Sequence, residues 1–222
     1  ACLVGSEMCI RDRSITPRQS CPNPFHMAVK KTELREKAKQ YFQNMILAAH
    51  ELSCPKLLIT SGWQSYSETR QEAWDRSVWM VGELCRFAEK YGVSLTMETL
   101  SRQSTTLVNT ISDLKQMMKE VNSKAFTITA DIHTIYNAKE SIQDYFDTFG
   151  KKLNHCHFMD YKNGMRSHLA WGDGEADIKE ILDIFDRNRF SGHFVLEYTD
   201  SKYFLEPFKV YEKTYHIIRQ NL

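Results

Sequence analysis

Apolar residues along this chain alternate between two periods. Between residues 31 and 52, Tyr41, Met45, Ile46 and Ala49 recur at helical spacing, which predicts one apolar stripe on a helix. "KLLITSG" (56–62) is instead a short continuous apolar run closed by glycine, as expected of a strand buried on both faces. The rhythm then repeats. Residues 67–91 predict a long helix stopped by Gly92, "VSLTMETL" (93–100) a strand and 106–121 a helix. "AFTITADI" (125–132) predicts a strand, 140–150 a helix, "LNHCHFMD" (153–160) a strand and 177–189 a helix. "GHFVLEY" (192–198) and residues 205–220 supply a last strand and helix. Strands that alternate with helices predict parallel βαβ units. Two architectures fit, a doubly wound sheet and a (β/α)8 barrel. No glycine-rich phosphate loop follows any strand, which weighs against a nucleotide-binding sheet. Five βα units fall three short of a complete barrel. The expected fold is therefore an α/β (β/α)8 barrel that is N-terminally truncated, with about five βα units remaining.

The first residues do not join this pattern. "ACLVGSEMCIRDR" fits neither a signal peptide nor an amphipathic helix, and it resembles the translation of a sequencing adapter. Residues 1–13 are expected to be a non-native segment, and residues 14–222 a partial barrel domain.

Composition narrows the function. The chain has 222 residues, 42% of them hydrophobic, so a sizeable core can be buried. Lys+Arg 29 against Asp+Glu 28 leaves a formal net charge of +1, which argues against a nucleic-acid partner. No apolar run reaches membrane-spanning length. The six cysteines show no paired spacing. They read as reduced thiols, and the expected location is the cytoplasm.

Candidate chemistry lies at the strand ends. Glu98 closes "LTMETL", Asp131 closes "TITADIH", His157 stands in "HCHFMD" and Glu197 in "FVLEY". Ligand sites of parallel α/β folds lie at the carboxyl ends of the strands. Any one of these groups alone is more often a helix cap, a surface carboxylate or a satisfied core histidine. The series on four consecutive strands changes the balance, because three carboxylates aimed into one pocket repel without a cation. A divalent metal held by oxygen and nitrogen resolves that repulsion; Mn²⁺, Mg²⁺ or Co²⁺ suits so carboxylate-rich a site. His155 faces the same way as His157 but one layer deeper, in or next to the core.

The series "METL", "ADIH", "HCHFMD" and "VLEY", followed by "HLAWGDG" (168–174), resembles the xylose isomerase-like TIM-barrel superfamily. Within it the likeness is to the sugar phosphate isomerase/epimerase group, which includes ketose 3-epimerases and fructoselysine 3-epimerase. "ITPRQSCPNP" resembles the loop after that family's third strand, so the resemblance runs from Ile15 to about Leu222. It implies that Glu98, Asp131, His157 and Glu197 are metal ligands, for Mn²⁺ first and otherwise Mg²⁺, Co²⁺ or Zn²⁺. It also implies that Glu98 and Glu197 are the two catalytic acid/bases. The implied reaction removes a proton beside a carbonyl, passes through an enediolate and returns a proton on the other face. Arg166 and His168 are candidates for holding sugar hydroxyls, and Trp63 for a pocket wall. Trp74 and Trp79 read as packing. Two departures bear on the substrate. A histidine stands at His133, two residues after the strand aspartate, where many members place one three residues on (here Thr134). The loop after Glu98 lacks an acidic residue that several epimerases have, with Ser104 near its place. The expected partner is a small-molecule sugar or sugar phosphate, with no nucleic acid and no membrane; a homo-oligomer of the full-length protein is compatible with this. An inosose-type dehydratase on the same metal barrel and a catalytically inactive sugar-binding barrel are the alternatives.

Overall fold

The structure is a computed structural model that describes residues 13–19 and 23–222. The adapter-like reading of residues 1–13 lies, apart from Arg13, outside the described residues. The chain forms two compact units, Ala1–Met97 with Val121–Phe126, and Glu98–Glu120 with Thr127–Leu222.

The first unit holds α1 (Thr32–Glu51), β1 (Lys56–Ile59), α2 (Arg70–Glu89) and β2 (Ser94–Met97). β1 is buried along its whole length. It pairs in parallel with β2 in the register Leu57↔Leu95 and Ile59↔Met97. Of the stripe foreseen on α1, Ile46 and Ala49 are buried while Tyr41 and Met45 are only half-buried; Ala38 and Phe42 complete the inward face instead. α2 begins at a capping box, in which Thr69 and Glu72 each satisfy the other's backbone N–H. Trp74 is fully buried. Trp79 is half-exposed instead, with Arg35 and Lys39 lying over its ring. Trp63 stacks on His26 at a centroid distance of 3.7 Å.

The second unit takes β3 (Phe126–Asp131) from Thr127 onward, then β4 (Leu153–His157) and β5 (His193–Val195). Its helices are α3 (Ile111–Val121, apart from its last residue), α4 (Ile132–Asn137), α5 (Ile142–Phe149), α6 (Ile178–Arg187) and α7 (Pro207–Asn221). The three strands pair in parallel in chain order, with Asp131 opposite His157 and His157 opposite Val195. This level register decides where the chemistry goes: the last residues of β3 and β4 stand side by side, and Glu197 follows two residues after β5.

Among the described residues each unit thus alternates parallel strands with helices, two strands in the first and three in the second, as the apolar pattern predicts. Differences are local. α3 starts at Ile111 rather than at 106, because Thr110 and Asp113 close a reciprocal cap there: Asp113 N–H donates to Thr110 Oγ1 and Thr110 N–H to Asp113 Oδ2. β4 stops at His157, and α4 is an element the apolar pattern did not announce. Among the described residues no helix is long and apolar enough to cross a membrane.

Candidate metal centre

Asp131 ends one element and begins another. It is the last residue of β3, and its Oδ1 accepts the Thr134 N–H at 2.8 Å, capping α4. Its second oxygen is left facing the strand ends. There the Nδ1 atom of His157 meets three carboxylates: Glu98 Oε2 at 3.0 Å, Glu197 Oε2 at 3.1 Å and Asp131 Oδ2 at 3.4 Å. The side chains of Asp131, His157 and Glu98 are 1%, 6% and 11% exposed, whereas Glu197 is 42% exposed and forms the open side. The structure therefore brings together all four residues singled out at the strand ends.

The electrostatics of this cluster are unbalanced. Burial pushes the Glu98 carboxyl up, and the neighbouring Asp131 and Glu197 charges add to it. Burial opposes charge on His157, but the facing carboxylates, Glu98 above all, hold its imidazole well above the usual histidine range. Burial likewise opposes charge on Glu197 and Asp131, yet His157 and His168 keep both carboxyls below their ordinary range. One imidazole faces three carboxyl groups, and a second histidine lies at the rim.

Distances and directions disagree in an informative way. All three oxygens lie within hydrogen-bonding reach of His157 Nδ1, yet this buried nitrogen makes no hydrogen bond, because none of them lies along its N–H direction. A buried polar atom without a partner is costly, and three carboxylates converging on it is the arrangement a cation satisfies. Glu98, Asp131 and His157 each offer one atom within 4.8 Å of the others. Oxygen and imidazole donors in that ratio fit a divalent ion. A second triplet of the same compactness, Asp131, His133 and His168, fits worse. His133 Nε2 lies 3.1 Å from the Met165 carbonyl and its Nδ1 lies 3.3 Å from Asn137 Nδ2, so both ring nitrogens are engaged.

The remaining candidates divide. His168 reaches the cluster directly: its Nδ1 lies 3.2 Å from Glu197 Oε2 and its Nε2 3.9 Å from Asp131 Oδ2. Its backbone exchanges two bonds with the loop after β5, His168 N–H to Thr199 Oγ1 and Thr199 N–H to the His168 carbonyl, which fixes it beside Glu197. Arg166 stands apart from the cluster on the wall of a cavity of about 890 Å³. Trp63 belongs to the first unit. His155 is buried behind His157, with ring centroids 5.5 Å apart.

The sequence reading left out Asp160. This carboxylate is 1% exposed and accepts four backbone N–H groups: Tyr161 and Ala176 at Oδ1, Gly172 and Gly174 at Oδ2. It ties down the loop that carries His168. A Cβ on Gly174 would collide with the Asp160 carboxylate and the Tyr161 carbonyl, so only glycine fits there. The D-then-G-x-G pattern was the available signal.

Comparisons with known proteins give the family and the fold. Fructoselysine 3-epimerase of Shigella flexneri is 27% identical over 185 residues, which are 83% of this chain and 66% of that protein. The chain thus spans just under two thirds of that relative's length. The crystal structure of a 3-keto-D-glucoside 4-epimerase from E. coli superposes with a TM-score of 0.81 at 14% identity, over 95% of this chain and 80% of that one. The structure of the IolI protein with a bound zinc atom superposes with a TM-score of 0.70 at 16% identity, over 85% of this chain and 71% of the other. The family model described as the xylose isomerase-like TIM barrel matches residues 9–220, nearly the whole sequence. This chain belongs to the xylose isomerase-like TIM-barrel family.

Proposed function

We propose that this protein is a divalent-metal-dependent isomerase that epimerises a ketose at the carbon beside its carbonyl, as a ketose 3-epimerase does. The observation that carries the reading is the meeting of three carboxylates at a buried imidazole nitrogen that makes no hydrogen bond. Likeness to a fructoselysine 3-epimerase supports the substrate class.

Glu98, Asp131, His157 and Glu197 would hold the ion, with Mn²⁺ ahead of Mg²⁺, Co²⁺ and Zn²⁺ because three of the four ligands are carboxylates. When bound, the ion supplies Lewis-acid stabilisation of negative charge on the substrate oxygens. The side chains move the proton. Glu98 and Glu197 come from different strand ends, so one takes the proton from one face of the sugar and the other returns a proton to the opposite face of the enediolate. His168 keeps the exposed Glu197 in position. Cytoplasmic residence belongs to the same reading; the described cysteines Cys54, Cys85 and Cys156 are buried.

The test uses the full-length, metal-loaded protein with a panel of ketoses in deuterated water. The expected product is the epimer carrying deuterium at the inverted carbon. Glu197→Gln keeps an oxygen but cannot accept the proton, and its turnover is expected to fall by roughly 10²–10⁴. A product lighter by one water assigns the dehydratase chemistry instead. Epimer without deuterium, or full turnover in Glu197→Gln, refutes the two-glutamate mechanism.

A further inference from the structure

The cavity beside the metal centre is lined wholly by residues of the second unit. It is about 890 Å³, towards the upper end of the roughly 300–1,000 Å³ typical of small-molecule sites. Thr134 and His133 stand on its wall. Thr134 donates its backbone N–H to Asp131 Oδ1, so the cavity begins within three residues of a ligand of the candidate centre. A free ketose bound there would leave much of the space unused.

Its charge is one-sided. Arg102, Lys139 and Arg166 all line it, and none of its lining residues is acidic. The three cations come from three separate connections: Arg102 follows β2, Lys139 follows α4 and Arg166 follows β4. Among the described residues, none of the three side chains takes part in an ion pair or hydrogen bond. Asp113 does not line it; its Oδ2 accepts from Asn109 N–H, Thr110 N–H and Thr110 Oγ1. The rest of the wall offers neutral donors and acceptors, including Ser101, Gln103 and Asn137. Some surface cations elsewhere do meet carboxylates: Lys213 and Lys202 meet Asp173, Lys179 meets Asp183, Lys209 meets Glu206.

The wall is also held in shape. His133 lies against the Met165 carbonyl and Asn137, which links the loop bearing Arg166 to α4. Lys139 follows α4 with φ +58°. Two of the cations are thus anchored to one short helix that Asp131 itself caps.

We infer that the substrate carries an anionic group remote from the reacting carbon, and that Arg102, Lys139 and Arg166 receive it in this cavity. The chemistry is that of a terminal phosphate monoester or carboxylate, both of which arginine binds through paired N–H donors. The inference rests on the epimerase reading for the sugar end of the ligand and on the cavity for the anionic end.

The experiment titrates the metal-loaded, full-length protein by calorimetry with three ligands: a neutral ketose, the same ketose as its terminal phosphate ester, and its analogue with a terminal carboxylate. Each is also incubated in deuterated water and checked for exchange. At least one anionic ligand is expected to bind tenfold or more tighter than the neutral sugar, with an advantage that shrinks as salt rises. The stronger of the two identifies the anion. In Arg102→Gln/Lys139→Asn/Arg166→Gln the ratio of anionic to neutral affinity is expected to collapse towards one. Asn is chosen at position 139 because it tolerates the positive φ. Single substitutions should each lower the ratio, which keeps the test decisive if the triple variant folds poorly. Equal affinity for all three ligands, or a ratio that the substitutions leave intact, overturns the inference. Tight anionic binding without deuterium exchange retains it and removes the epimerase reading; exchange of the neutral ketose with no anionic advantage does the reverse.

Discussion

The cluster around His157 and the clamp around Asp160 begin three residues apart, and both bury carboxylates. They are built on opposite principles. Asp160 is saturated, with four backbone N–H groups sharing its two oxygens. Its charge is dispersed over fixed dipoles, and nothing more is needed there. Asp131 is as deeply buried, yet one of its oxygens faces two histidines and two further carboxylates. A buried carboxylate with every acceptor position filled holds a loop in place. One that shares a small space with like charges and an unbonded imidazole is left ready for something else. Burial alone does not separate the two; the count of satisfied donors and acceptors does.

The largest effect should come from breaking the saturated side. Asp160→Ala orphans four amides at once and is expected to cost on the order of 4 kcal/mol, read as a lowered denaturant midpoint. A cost below about 1 kcal/mol would mean that the clamp is no more than decoration. The unsaturated side should respond to what is added. A divalent ion at about a hundred times its dissociation constant is expected to stabilise the protein by about 2.7 kcal/mol. That gain should largely vanish on chelation and in His157→Ala; an unchanged melting temperature on titration with Mn²⁺ and Zn²⁺ would argue against an ion site.

His26 offers a third way of burying a polar group, in the first unit. Burial pulls its pKa down to about 4; nearby Glu68 opposes this and Arg76 assists it. The folded state therefore prefers the neutral ring. Stability is complete above the unfolded value of about 6.5 and declines as pH falls towards 4, by about 2 kcal/mol at pH 5. Comparing wild type with His26→Gln in urea at pH 7 and pH 5 isolates the contribution, and parallel losses in both proteins would assign it elsewhere. The smallest effect sharpens the contrast most. Glu98→Gln removes one of three like charges and is expected to leave metal-free stability unchanged or raised by about 1 kcal/mol, while metal affinity drops. A large destabilisation would show that Glu98, like Asp160, is chiefly a structural acceptor.

Much of this was legible in the amino-acid order. Helices and strands followed from apolar periods, and Glu98, Asp131, His157 and Glu197 were found because a parallel sheet forces strand ends to one side. The short helix α4 was missed because "DIHTIYN" is read first as the end of a strand; its sign is the aspartate that caps it three residues ahead of Thr134. The role of Asp160 was hidden for another reason. Its partners stand up to sixteen residues downstream, and loop closure of that kind leaves only its glycines in the sequence. His168 was foreseen near the sugar, but its contact with Glu197 depends on a bond between two loops, through Thr199, that no local pattern records.

The clamp has a consequence for how such a protein can be altered. Asp160 and Leu169 exchange backbone hydrogen bonds, so residues 161–168 leave the barrel and return to it at one fixed junction. Chain length inside a closed loop changes stability slowly, by only about 0.6 kcal/mol per doubling. The segment that bears Met165 and Arg166 is therefore a replaceable cartridge. Its length and side chains can be exchanged while the junction, and the carboxylates around His157 beyond it, stay where they are. Libraries built between Tyr161 and Ser167 should be tolerated by the fold more readily than substitutions at any strand end.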